Sequence, residues 1–262
     1  MSSFSSPAIM IRRIDYGDYD LILTLFTLNS GKTSVIAKSA KKSAKRFSGI
    51  LELFSVMDVV CRTGRGKGLY VLQEATLRHP FPGIRSDIIK TAYASYWAEL
   101  INGWMEKGQK QIELYHLFEH VLTTLDLDRI PAAALSILFQ MRFMTISGLL
   151  PNLKYCTVCR KEVESVSENN FGFELKKGGL VCAECAPLGV NKIRLSKGTL
   201  KQLEWIKCGD LSRAVRVRLS AQAIVEGLAF MEAFVPYHLE KELRSLTILR
   251  QIRGSLISGQ SK

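Results

Sequence analysis

Through the first 80 residues, apolar and polar positions alternate in short runs. Five runs stand out, at residues 8–13, 21–27, 32–38, 53–62 and 69–77, each rich in Val, Ile, Leu, Phe and Thr. Period-two patterning over such lengths predicts half-buried β-strands. Turn chemistry separates most of them: Asp15-Tyr16-Gly17-Asp18, Asn29-Ser30-Gly31 and Gly64-Arg65-Gly66-Lys67-Gly68. Five strands in so few residues fit a small closed barrel, because closure removes exposed edges. An SH3-like barrel has similar strand counts, and the pattern alone leaves both open. Residues 39–50 are polar and basic, with room for one helical turn.

The period changes after His79-Pro80-Phe81-Pro82-Gly83. Ser86 and Asp87 form an N-cap signal, and Ile88, Ala92, Tyr93, Tyr96, Trp97, Leu100 and Ile101 then recur at helical spacing. The pattern repeats over 112–125. Pro131 suits the start of a third helix reaching about Leu149, with Pro151 ending it. Helical periodicity resumes at Ser196, and 220–253 reads as one helix kinked at Pro236. The expected fold class is α+β and multidomain. It comprises a five-stranded barrel domain (1–80), a helical domain (81–151 and 191–262) and a cysteine-bearing module inserted at 152–190.

That module carries the most specific chemistry. Cys156-Thr157-Val158-Cys159 and Cys182-Ala183-Glu184-Cys185 are two Cys-x2-Cys pairs. Each pair can offer two thiolates to one tetrahedral ion, which suits zinc. The long separation between the pairs predicts an extended hairpin linking two knuckles. Four thiolates fill the coordination sphere and leave no place for an activated water, so one structural zinc per chain is expected. Cys61 and Cys208 adjoin apolar periodic segments and read as packed thiols. His116-Leu117-Phe118-Glu119-His120 matches the H-x-x-E-H pattern of some zinc proteases. The same residues also serve as the wet flank of a helix, and spacing nominates no third ligand.

The composition departs from the ordinary in one respect, its charge. The 262 residues are 47% hydrophobic and 23% charged, an ordinary globular balance, but 36 Lys and Arg against 24 Asp and Glu leave +12. Such an excess favours polyanionic partners. It concentrates in Lys32, Lys38, Lys41, Lys42, Lys45, Arg46, Arg62, Arg65 and Lys67, faced by only Glu52 and Asp58. Most of these bases fall in the 39–48 loop and at the 62–68 hairpin tip. In an oligonucleotide-binding barrel the loop between the last two strands borders the binding face, so a basic tip there is well placed, and lysine and arginine pair with phosphates. Phe47, Tyr16 and Tyr19 are candidates for stacking on bases. Residues 192–262 carry 13 bases against 6 acids, a second reservoir of positive charge. The stretch 132–150 is apolar but interrupted by Gln140 and Arg142, which argues for a buried helix over a membrane span. No secretory signal is evident at the start, and a cytoplasmic location is expected.

Taken in order, several segments resemble the bacterial recombination mediator family RecO. Asp15-Tyr16-Gly17-Asp18-Tyr19-Asp20 followed by 21–27 looks like its opening strand-turn-strand. Residues 36–42 resemble its third strand and basic loop, although the family often has Gly where Ser39 stands. Gly148-Leu149-Leu150-Pro151-Asn152-Leu153, leading into Cys156 and Cys159, is the most specific piece. Tyr237-His238-Leu239 with Leu243-Arg244-Ser245-Leu246 looks like its C-terminal signature. The resemblance covers essentially the whole chain. It implies an OB-fold barrel, a helical domain, a zinc module in many members, and no enzymatic activity. It also implies binding of single- and double-stranded DNA, annealing of complementary strands, and action with RecR to load RecA onto strands coated by single-stranded-DNA-binding protein (SSB), at the nucleoid.

The same resemblance gives Arg142 a role. Family members bind the acidic, Phe-terminated SSB tail through their helical domain, and a guanidinium suits its terminal carboxylate. The residue-level alternative is an arginine that snorkels or pairs with an acid. Two other readings of the whole chain stay open at this stage: an RNA-binding OB-fold factor, and a zinc protease acting through His116, Glu119 and His120. A nuclease would want clustered carboxylates for magnesium, and none stands out.

Overall fold

The computed structural model describes residues 3–42, 47, 49–64, 69–186, 193–207, 211–214, 216 and 218–259. In chain order the barrel strands are β1 (Ser3–Tyr16), β2 (Asp20–Thr27), β3 (Gly31–Ala37), β4 (Val56–Thr63) and β5 (Tyr70–His79). Helices α1 (Pro82–Ser86), α2 (Ile88–Trp104), α3 (Ile112–Asp126) and α4 (Ala132–Ile146) follow. A second sheet is built from β6 (Asn152–Cys156), β7 (Asn170–Glu174), β8 (Gly179–Val181) and β9 (Ile193–Ser196). The chain continues through α5 (Lys197–Lys207), α6 (Leu211–Ala214), α7 (Ala221–Leu239) and α8 (Arg244–Gly259). These elements form two compact units, 1–127 with 243–262 and 128–242.

In the first unit the strands close in the order β1-β2-β3-β5-β4, an OB-fold-like barrel. Antiparallel β1–β4 and a short parallel β3–β5 contact seal it. The alternation seen in the sequence holds strictly in β3, where Thr33, Val35 and Ala37 point inward and Lys32, Ser34 and Ile36 outward. Met10, Leu21, Leu23, Leu25, Val35, Met57, Val59, Cys61 and Leu72 fill the interior. Cys61 is fully buried, and burial pushes its thiol up to about 12, as befits a packing residue.

Gly31 opens β3 at φ +63, and a Cβ there would come within 1.8 Å of the Gln109 carbonyl oxygen, so only glycine fits this close approach. Asp87 caps α2 as its residue type predicts, with Oδ1 accepting from the Ile89 and Lys90 amides at 2.7 and 3.1 Å. Trp97, Tyr93 and Tyr96 of α2 are buried, and α8 packs on the same helix, its Ser245 amide donating to Glu99 at 2.8 Å.

The second unit packs α4, α5 and α7 with the sheet β6-β8-β7-β9. Phe171 and Phe173 are buried, and Phe173 packs on α7 with its ring 4.6 Å from Phe230 and 5.6 Å from Phe234. Gln140, fully buried in α4, donates to Ser136 Oγ and to its carbonyl at 3.1 Å. A polar group so satisfied sits in a protein core at little cost. No helix among the described residues is long and apolar enough to cross a membrane.

Several boundaries differ from the sequence expectation, each for a local reason. The first strand runs the full length from Ser3 to Tyr16 because it pairs with β4 on one half and β2 on the other. The fourth begins at Val56, since Phe54 takes a left-handed φ of 70° that no strand continues through. Helix α4 stops at Ile146: Gly148 at φ +74 lets the Leu149 amide bond to Met144 and the Gly148 amide to Thr145, a Schellman closure well before Pro151. The stretch 220–253 is two helices. Pro236 costs α7 one rung of its ladder, and the chain turns at Glu240 (φ +51) before α8 begins. Cys208 lies outside the described residues.

Candidate nucleic-acid interface and metal centre

The β1–β2 turn and the loop leaving β3 are fastened to each other. Asp20 Oδ1 accepts from the Ser39 amide at 2.7 Å, and the Lys41 amide donates to the Tyr19 carbonyl at 3.0 Å. Ser39 adopts φ +54, a left-handed conformation easier for glycine. Lys41 Nζ pairs with Asp15 at 2.9 Å, and Lys42 Nζ sits 3.8 Å above the Tyr19 ring centroid. Tyr16 and Tyr19 are 54% and 46% exposed, and Lys38 is exposed next to Ser39, whose amide is held by Asp20. Of the three acids in this turn, Asp15 and Asp20 are engaged in holding the rim together, while Asp18 stands exposed between the tyrosines. Parallel pairing of Val35 with Tyr70 and Ile36 with Val71 brings the root of the β4–β5 hairpin beside the end of β3.

This rim collects some of the candidates and not others. Lys38, Lys41 and Lys42 come together with Tyr16 and Tyr19. Arg62 is exposed near the end of β4. Lys32 lies at the other end of β3, half-buried, with Nζ donating to the Asn102 carbonyl at 2.6 Å. Lys45, Arg46, Arg65 and Lys67 lie outside the described residues. Phe47 is not available for stacking: it is 4% exposed and belongs to the barrel core, because an apolar ring in a polar loop gains more by closing the barrel end than by standing in water.

The sequence reading missed the outer face of β1–β3. Register places Ile14, Ile22 and Ile36 in one row across the strands, and Arg12, Thr24 and Ser34 in the next. Arg12 is exposed and Ile14 is 40% exposed, so this face offers apolar and cationic contacts next to the tyrosines. Pairing register across three strands assembles this face, so no single strand's pattern announces it.

In the second unit, Cys156 closes β6 and pairs in register with Leu180 of β8, two residues before Cys182. Tight turns shape both knuckles. The Cys156 amide donates to Lys161 at 2.9 Å and the Arg160 amide to Cys156 at 3.0 Å, while the Cys185 amide donates to Cys182 at 3.2 Å. The four sulfurs lie within 4.8 Å of one another, with Cys159 and Cys182 Sγ 3.7 Å apart. A tetrahedron with metal–sulfur bonds of about 2.3 Å has sulfur–sulfur edges of about 3.8 Å. The cluster is therefore of a size to hold a metal ion.

Burial opposes ionisation of Cys156. Hydrogen bonds from the backbone around Cys182, Cys159 and Val158 outweigh it and bring that thiol down to about 6. The hydrogen bond with Cys182, together with burial and the other nearby thiols, pushes Cys185 up to about 12. Four thiolates cannot crowd together without a cation, and that mutual opposition is what a bound ion removes. The expected hairpin between the knuckles is present as β7–β8, turning at Gly178.

His116, Glu119 and His120 lie on α3. His116 is exposed with Nδ1 3.8 Å from Glu119, and among the described residues only the four cysteines converge as metal ligands. Arg142 is half-buried on α4, flanked by Leu138, Phe139, Met141 and Phe143, all within the core.

The chain matches two family models, "Recombination protein O N terminal" over residues 1–81 and "Recombination protein O C terminal" over 85–247. It is 44% identical over 258 residues to the DNA repair protein RecO of Desulfosudis oleivorans, covering 97% of this chain and 99% of that protein. It is 41% identical to that of Desulfatibacillum aliphaticivorans (97% and 98% covered) and 32% identical to that of Anaeromyxobacter dehalogenans strain 2CP-C (99% and 100%). Two family models that together span residues 1–81 and 85–247, with relatives above 40% identity along nearly the whole length, show that the chain belongs to the RecO family of DNA repair proteins.

Proposed function

We propose that this protein is a non-enzymatic DNA-binding mediator. In this reading it binds single- and double-stranded DNA, anneals complementary strands, and acts with RecR to load RecA onto SSB-coated DNA. Residues 1–80 are its DNA-binding domain, 81–151 with 191–262 its helical domain, and 152–190 a module held by one structural zinc on Cys156, Cys159, Cys182 and Cys185.

The observation that carries the reading is the rim where Lys38, Lys41 and Lys42 meet two exposed tyrosines. Cations pair with phosphates whatever the sequence, and aromatic rings stack on any base, which is the chemistry a strand annealer needs. Arg62, Lys45, Arg46, Arg65 and Lys67 also bind DNA in this proposal, with Lys32 contributing charge from the far end of β3. Arg142 takes the terminal carboxylate of the SSB tail, as a bidentate donor that lysine cannot replace.

The test is annealing of complementary oligonucleotides, bare and SSB-coated, with RecR added or omitted. The wild type is expected to anneal both. Arg142→Ala is expected to anneal bare strands normally and to lose its advantage on coated ones. Failure of the wild type to anneal either, or stronger binding to structured RNA than to single-stranded DNA of equal length, overturns the proposal.

A further inference from the structure

Trp205 is 73% exposed on α5, more than any other large apolar side chain among the described residues. Tryptophan is usually well buried. The core face of α5 lies elsewhere, at Leu200, Leu203 and Ile206, so the helix is anchored on one side and holds the indole in solvent on the other. Helical spacing sets Lys201 and Gln202 one turn below it.

Gln202 fastens this turn to the segment before α7. Its Oε1 accepts from the Ser220 amide at 2.9 Å, and its Nε2 donates to Ser220 Oγ at 3.4 Å. Arg218, two residues before Ser220, is exposed, and so is Arg216. Residues 193–220 carry seven Lys and Arg against two Asp and Glu. Glu204, the acid beside the indole, is taken up by Lys207 at 3.2 Å and Lys154 at 4.0 Å. Lys201 pairs with Glu164 at 3.2 Å, an exposed contact of the kind a phosphate readily displaces.

We infer that this face of the second unit is a further contact for single-stranded nucleic acid, in which one base stacks on Trp205 while Lys201, Arg216 and Arg218 hold the flanking phosphates. An acidic peptide would satisfy the charge, but its apolar side chains need a groove to enter, whereas a side chain this exposed offers an open π-face. Stacking on such a face is indifferent to base identity. The inference rests on the nucleic-acid reading above but on different residues, so the two can fail separately.

The experiment titrates the full-length, metal-loaded protein with oligothymidylate, following oligonucleotide anisotropy and tryptophan fluorescence together. Trp97 is fully buried and Trp104 half-buried, so quenching on binding reports chiefly on Trp205. The wild type is expected to quench. Trp205→Phe is expected to abolish the quenching, and Trp205→Ala to weaken binding roughly 10-fold with an unchanged melting temperature. Arg216→Gln with Arg218→Gln is expected to make the slope of log K against log salt shallower by about 1.4. Anisotropy that reports binding without quenching overturns the site and leaves the barrel reading standing. No binding at all overturns both. Quenching by a Phe-terminated acidic peptide but not by oligothymidylate overturns the site in favour of a protein partner.

Discussion

Replacing Lys38, Lys41 and Lys42 together by Glu is expected to weaken single-stranded DNA binding by roughly 100-fold or more, at about 1 kcal/mol for each lost phosphate contact. The salt dependence carries the sharper signature. Each phosphate contact on a single strand contributes about −0.7 to the slope of log K against log salt, so losing three should make it shallower by about 2. All three side chains are exposed, and exposed substitutions usually change stability by less than about 0.5 kcal/mol. Lys41 needs a control because reversal sets a carboxylate beside Asp15. The Gln triple variant removes the charge without that repulsion and should show the same slope change. Anisotropy titrations over a range of salt, with thermal melts alongside, make the measurement. An unchanged slope in both variants would place the phosphate contacts elsewhere.

The purified protein is expected to carry one zinc per chain, and Cys182→Ser with Cys185→Ser to carry none. The energetic consequence is large. Apparent binding free energies of structural zinc reach about 10–16 kcal/mol, comparable to or above the whole stability of a typical domain. The sheet β6-β8-β7-β9 is small, and its strands are three to five residues long. Without the ion, amides of β6 and β8 should exchange freely, whereas those of the barrel should stay protected because nothing in its core depends on the knuckles. Elemental analysis and hydrogen exchange check this. Zinc at full occupancy in the double variant would refute the ligand assignment.

Much of this architecture is legible in the sequence because its signals are local. Period-two runs, turn residues and the Asp87 cap each act over a few positions, and the structure keeps them: the five strands, the Asp87-capped α2 and the reach of α3 follow from pattern alone. The two Cys-x2-Cys pairs likewise announce a convergent sulfur cluster before any coordinates. What escaped depends on the third dimension. Phe47 reads as an aromatic in a basic loop, and only barrel closure decides that it points inward. Lys32 belongs in sequence to the basic stripe, yet strand length separates it from the rim and Asn102 captures it. The break at Glu240 was hidden because helical periodicity persists on both sides of it. The outer row Ile14, Ile22 and Ile36 needed inter-strand register, which no single strand encodes.

Photo-cross-linking shows whether the barrel rim touches DNA. An oligonucleotide carrying 5-bromodeoxyuridine is irradiated in complex with the full-length protein, and the adducts are mapped by mass spectrometry. Adducts are predicted at Tyr16 and Tyr19, with Tyr70 at the root of the β4–β5 hairpin as a third site. Saturable binding with no adduct anywhere in residues 3–79 would contradict the account.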